Sequence, residues 1–152
     1  MTFAYEDFEV GSTVQLSGHT FLREEIIEFA SRFDPQPFHM SEEGGVASPF
    51  GELVASGWHT CSAMMGILVR DRLSGSTSMG SPGLDNIRWI KPVRVNDTVR
   101  LSVSVLSKRI SASKPDRGLV STRWEAHNQH GDLVLTVDSS AIFGLREPGK
   151  PR

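Results

Sequence analysis

Ser56-Gly57-Trp58-His59-Thr60-Cys61-Ser62-Ala63-Met64-Met65-Gly66-Ile67-Leu68-Val69-Arg70-Asp71-Arg72-Leu73 reads as one long helix, and the sequence after it changes period. Trp58, Cys61, Met65 and Leu68 recur at three- and four-residue spacing and form its apolar stripe. Ser56 suits the N-cap. Gly57 then lies in the first turn, where a backbone N–H has no partner inside the helix. Downstream, Val99, Leu101, Val103 and Val105 alternate with polar residues, as a half-buried strand requires. Leu119–His127 and Leu133–Phe143 are further strands, joined by the turn residues Asn128-Gln129-His130-Gly131. Upstream, Val14–Phe21 is a short strand. Leu22–Phe33 is a helix with Ile26, Phe29, Ala30 and Phe33 on one face, and Glu24 and Glu25 in its first turn suit the helix dipole. Helices early and antiparallel strands late predict an α+β domain, with the long helix packed on one face of an antiparallel sheet.

The 152 residues suffice for one domain, 1–152, with a sizeable core. Ser41–Phe50 and Ser74–Pro82 read as polar, glycine-bearing connections, and the polar tail 146–152 is expected to fray. A net charge of -2 and a pI near 6.2 argue against nucleic acid as a partner. The single cysteine, Cys61, excludes an intrachain disulfide and fits a reducing compartment. Glu6, Asp7 and Glu9 near the start do not read as a signal peptide. No apolar run reaches the roughly 20 residues of a membrane helix. The expectation is a soluble, cytoplasmic protein without a membrane partner.

Asp34-Pro35-Gln36-Pro37-Phe38-His39 carries the chemistry. A residue before proline disfavours helical geometry, so the first helix should stop at Asp34. Two prolines then stiffen a short loop that holds a carboxylate and an imidazole at fixed distance. Taken alone, Asp34 also fits a turn residue and His39 a surface histidine. His59 and Cys61, two apart on a helix, do not face each other as a nucleophilic pair would. His127 and His130 straddle a turn and are too few for zinc, so no metal is expected.

This run resembles the Asp-x-Asn-Pro-x-His signature of the MaoC-like dehydratases, the family of (R)-specific enoyl-CoA hydratases. Asp34, Pro37 and His39 match, and Gln36 replaces the asparagine. The resemblance continues through Phe50-Gly51-Glu52-Leu53-Val54-Ala55-Ser56-Gly57-Trp58-His59-Thr60, similar to the start of that family's central helix. It extends to Trp89-Ile90-Lys91-Pro92-Val93-Arg94-Val95-Asn96-Asp97-Thr98, where Asn96 takes a usual glycine place in a turn. The resemblance implies a hotdog fold, a curved antiparallel sheet wrapped around one long helix. It also implies a homodimer or higher homo-oligomer, with acyl-CoA bound near the subunit interface as substrate and no other cofactor.

The implied reaction is reversible hydration of a trans-2-enoyl thioester. Asp34 and His39 would be the acid/base pair, and Gly57 would donate its N–H to the enolate oxygen, where the helix dipole favours negative charge. Glycine there would let the thioester approach without a Cβ in the way. Gln36 and Ser56 would position water or substrate. Lys108, Arg109, Lys114 and Arg117, or Lys91 and Arg94, could meet the phosphates of coenzyme A, or could simply be solvated rim residues. Two other readings stay open: a hotdog thioesterase using Glu52, and a non-catalytic acyl-CoA binder, to which Gln36 points.

Overall fold

Alternation in the second half of the chain produces three long strands that pair as neighbours. The structure is a computed structural model that describes residues 2–149. Its elements are β1 (Thr13–Thr20), α1 (Arg23–Phe33), α2 (Pro37–Met40), α3 (Glu42–Val46), α4 (Gly57–Leu68), β2 (Gly83–Trp89), β3 (Thr98–Ile110), β4 (Arg117–His127) and β5 (Leu133–Gly144). The strands form one antiparallel sheet in the order β1-β3-β4-β5-β2. α4 lies against β1 and β3. Met64, Ile67 and Leu68 of α4 join Phe21, Ile26, Leu101, Trp124 and Leu135 in the main core. A second cluster, with Tyr5, Phe8, Val120 and Phe143, closes the far end of the sheet. This α+β arrangement is the hotdog fold that the resemblance implies.

Several boundaries differ from the sequence reading. The long helix is regular only to Leu68 and finishes as a π-helical turn, Val69–Leu73. Its buried face is His59, Thr60, Met64, Ile67 and Leu68, which shares only Leu68 with the expected stripe, while Cys61 packs partly buried against the core. Trp58 and Met65 are 55% and 42% exposed. The helix is apolar nearly all round, so periodicity alone did not choose the face. α3 falls inside the expected connection Ser41–Phe50, capped by the Ser41 hydroxyl, which accepts from the Gly44 N–H at 3.0 Å. Strand β2 had no signal, because this edge strand is mostly exposed and lacks alternation.

Asn96 adopts φ 69°, the left-handed conformation its turn demands. The turn is fixed by buried Asp97, which accepts from the Arg94 N–H at 2.9 Å and the Gln129 amide at 2.8 Å. The tail is not frayed from its start. The Arg146 N–H donates to the Glu6 carboxylate at 2.9 Å, and its guanidinium donates to Thr2 O at 3.0 Å and to Asp7. The rest of that expectation, over 150–152, lies outside the described residues.

Candidate active site

Asp34 terminates α1. Its N–H still donates to Ala30 O at 2.9 Å, but its backbone leaves the helical region before Pro35. Pro37 then opens α2 at N1, where a missing N–H costs nothing. The expected loop is therefore only the Asp34–Gln36 link, and His39 sits on a helical turn. His39 is buried, not a surface residue.

The His39 Nδ1 lies 2.7 Å from Val54 O. A carbonyl only accepts, so Nδ1 carries a proton and Nε2 is the ring nitrogen turned toward Asp34. That Nε2 is 3.3 Å from Asp34 Oδ2. The carboxylate and the imidazole are thus close enough to share a proton, and both line one cavity.

Asp34 is held from both sides. Oδ2 accepts from the Ser56 hydroxyl at 2.7 Å, and Oδ1 accepts from the Gln36 amide at 2.8 Å. Burial pushes the Asp34 carboxyl up, but these bonds and neighbouring His39 outweigh it, and the group lies below the usual carboxylate range. Ser56 does occupy the N-cap position of α4, yet its hydroxyl makes no cap bond and serves Asp34 instead. Gln36 donates one amide N–H to the carboxylate and so orients Asp34, and the amide keeps a second N–H and a carbonyl oxygen for other partners.

Gly57 opens α4 beside this pair. A Cβ added there would lie 2.5 Å from the Trp89 indole, so the glycine admits Trp89, not empty space for substrate. Trp89 in turn meets Trp58 edge-on, with centroids 5.3 Å apart. Asp34, Gln36, His39, Gly57, Trp89 and Lys91 line one cavity of about 450 Å³.

The other basic residues do not converge on it. Lys108 donates to Tyr5 O at 3.3 Å and sits over the Tyr5 ring. Arg117 pairs with Asp116 at 2.8 Å, and Arg109 and Lys114 are exposed on the β3–β4 hairpin. Lys91 pairs with Asp132 and Arg94 with Glu52, each at 3.3 Å. Glu52, the thioesterase candidate, is thus tied to Arg94 and does not line the cavity. Burial pushes the Cys61 thiol up, against a nucleophilic role.

A five-stranded antiparallel sheet packed on one long helix, with a carboxylate and an imidazole in the cavity beside that helix's start, is the arrangement of a hotdog domain. The chain belongs to the MaoC-like domain family, whose model matches residues 6–125. It is similar to the MaoC-like dehydratase from Rhodospirillum rubrum, with 33% identity and a TM-score of 0.85 over 95% of this chain and 99% of that one. The (R)-hydratase from A. caviae involved in PHA biosynthesis is 25% identical, with a TM-score of 0.71 over 92% of this chain and 98% of its own. The 3-hydroxybutyryl-CoA dehydratase of Methylorubrum extorquens is 31% identical over 66% of this chain. The match covers 62% of that enzyme, less than two thirds of its length. These relatives support hydratase or dehydratase chemistry broadly. No helix among the described residues is long and apolar enough to cross a membrane.

Proposed function

We propose that the chain is an (R)-specific enoyl-CoA hydratase, equally a 3-hydroxyacyl-CoA dehydratase. The observation that carries this reading is the Asp34–His39 pair, 3.3 Å apart in the cavity beside the Gly57 amide. A water held at Asp34 and His39 would pass one proton to this pair as its oxygen bonds to the β-carbon. The C=C electrons move toward the thioester carbonyl, and the Gly57 N–H stabilises the enolate oxygen. The proton then returns to the α-carbon, giving the 3-hydroxyacyl thioester; dehydration is the reverse. Ser56 and Gln36 keep Asp34 ionised in the resting site and oriented through the cycle.

Coenzyme A is the thioester carrier in this reading. Lys91, on the cavity lining, is the basic residue best placed for a phosphate. The working unit is a homodimer, supported by exposed apolar residues on α4 and β2. The test is loss of enoyl-thioester absorbance when purified protein meets short-chain enoyl-CoAs. Asp34→Asn and His39→Ala should each lower kcat by about 10²–10⁴-fold. No turnover by the wild-type chain across a chain-length panel, or full activity in Asp34→Asn, would sink the assignment. Thiol release that depends on Glu52 and not on Asp34 would replace it with a thioesterase.

A further inference from the structure

Away from the Asp34–His39 cavity, three ligand-type side chains from three elements meet at one point. His19 Nε2 lies 2.6 Å and His59 Nε2 2.9 Å from the same oxygen, Glu25 Oε1. His19 comes from β1, Glu25 from α1 and His59 from α4. The rings are held firmly. His59 is buried, stacked on Phe29 at 4.7 Å and 9°, and edge-on to Phe21 at 4.9 Å. His19 also meets Phe21 edge-on, at 4.9 Å. His59 Nδ1 is buried with no hydrogen-bond partner, so aromatic packing alone sets which nitrogen faces Glu25. The trio opens on a cavity of about 360 Å³, also lined by Glu28, Arg32 and Arg70.

We propose that His19, Glu25 and His59 form a binding site for a divalent transition-metal ion of the zinc class. Two imidazole nitrogens and one carboxylate oxygen are the donor set such ions take, with a fourth position left for water. The three donor atoms lie within 4.8 Å of one another. Ligands around tetrahedral zinc, at about 2.0–2.1 Å from the metal, sit roughly 3.3 Å apart. Glu25, on a half-exposed helix face, would step back from its 2.6 and 2.9 Å contacts, and the two imidazoles would close by up to about 1.5 Å to reach that spacing. Arg32, paired with Glu28 at 3.5 Å, and Arg70 line the same opening and favour a hydroxide or other anion as fourth ligand. The ion would tie β1, α1 and α4 together. α1 ends at Asp34 and α4 begins at Gly57, so the clamp would fix the two sides of the proposed active site without entering its chemistry.

The test uses the full, tag-free chain, stripped with a chelator and titrated with Co²⁺, whose visible absorption reports coordination. One Co²⁺ should bind per chain and be displaced by Zn²⁺. Glu25→Gln and His19→Gln should each weaken binding at least about 10–100-fold, while the paired change His127→Gln and His130→Gln leaves it intact. Zn²⁺ at a hundredfold excess over its Kd should raise Tm by roughly 5–10 °C in the wild type and not in Glu25→Gln. His19 is only partly buried, so His19→Gln keeps the test valid if a variant at His59 fails to fold. The proposal is overturned if no saturable binding occurs at micromolar metal. It is also overturned if binding survives both the Glu25 and the His19 substitutions.

Discussion

Asp34 stays ionised in a mostly buried position because two side chains donate to it and an imidazole stands beside it. Its folded-state pKa is below the ordinary 3.8. The unfolded chain therefore binds this proton more readily, and stability rises with pH through this window. The contribution is complete above pH 3.8 and disappears as pH falls through the lowered value. Melting curves of wild type and Asp34→Asn should differ above that pH and converge below it. Ser56→Ala removes one of the donors, so the acid limb of kcat should move to higher pH, with activity at neutral pH retained in part. An acid limb unmoved by Ser56→Ala would separate Ser56 from the control of Asp34. The resemblance of the Asp34–His39 run to a family signature, more than its spacing, made Asp34 and His39 legible in the sequence. The partners of Asp34 were not: Ser56 read as a cap, and only the turn of chain from α1 to α4 brings its hydroxyl to the carboxylate. His59 and Glu25 were equally hidden, since their contact joins two elements and has no local pattern.

Among the elements, α2 and α3 set the imidazole by packing very close to the segment leading into α4. A Cβ on Gly45 would fall 2.1 Å from the Glu52 carbonyl carbon, and one on Gly44 2.1 Å from Pro37 O. Both clashes are with backbone, which cannot step aside as a side-chain tip can. That approach brings Val54 O within 2.7 Å of His39 Nδ1 and lets the Val54 N–H donate to Phe38 O at 3.0 Å. Gly45→Ala should therefore cost roughly 2–3 kcal/mol in a denaturant titration, and the folded fraction should turn over enoyl-CoA more slowly. Wild-type kcat in that variant would mean the α3 contact does not set the His39 position. At this scale the sequence was informative wherever one face is buried and the other wet, as in β3, β4 and β5. It was uninformative for β2, an exposed edge, and misleading for α4, whose faces differ too little in hydropathy to rank.

For the whole molecule, the sheet ends in β2, and this edge carries Leu84 and Trp89, 48% and 46% exposed. Trp58 and Met65 of α4 and Ile90 after β2 are also exposed. An unpaired strand edge beside such side chains is a pairing surface unless something covers it. A second copy would cover it by continuing the sheet from β2, with the two α4 helices close by. Trp58, Trp89 and Ile90 also line the Asp34–His39 cavity, so a partner here would reshape that cavity's wall. Light scattering should give a dimer at micromolar concentration. Leu84→Lys combined with Met65→Lys puts like charges on both faces of the surface and should yield a folded monomer. Neither residue lines the Asp34–His39 cavity, so a fall in enoyl-CoA turnover that tracks dissociation would tie that cavity to the assembled form. A wild-type monomer with full activity would leave the apolar edge unexplained by self-association. A dimer indifferent to both lysines would place the contact elsewhere.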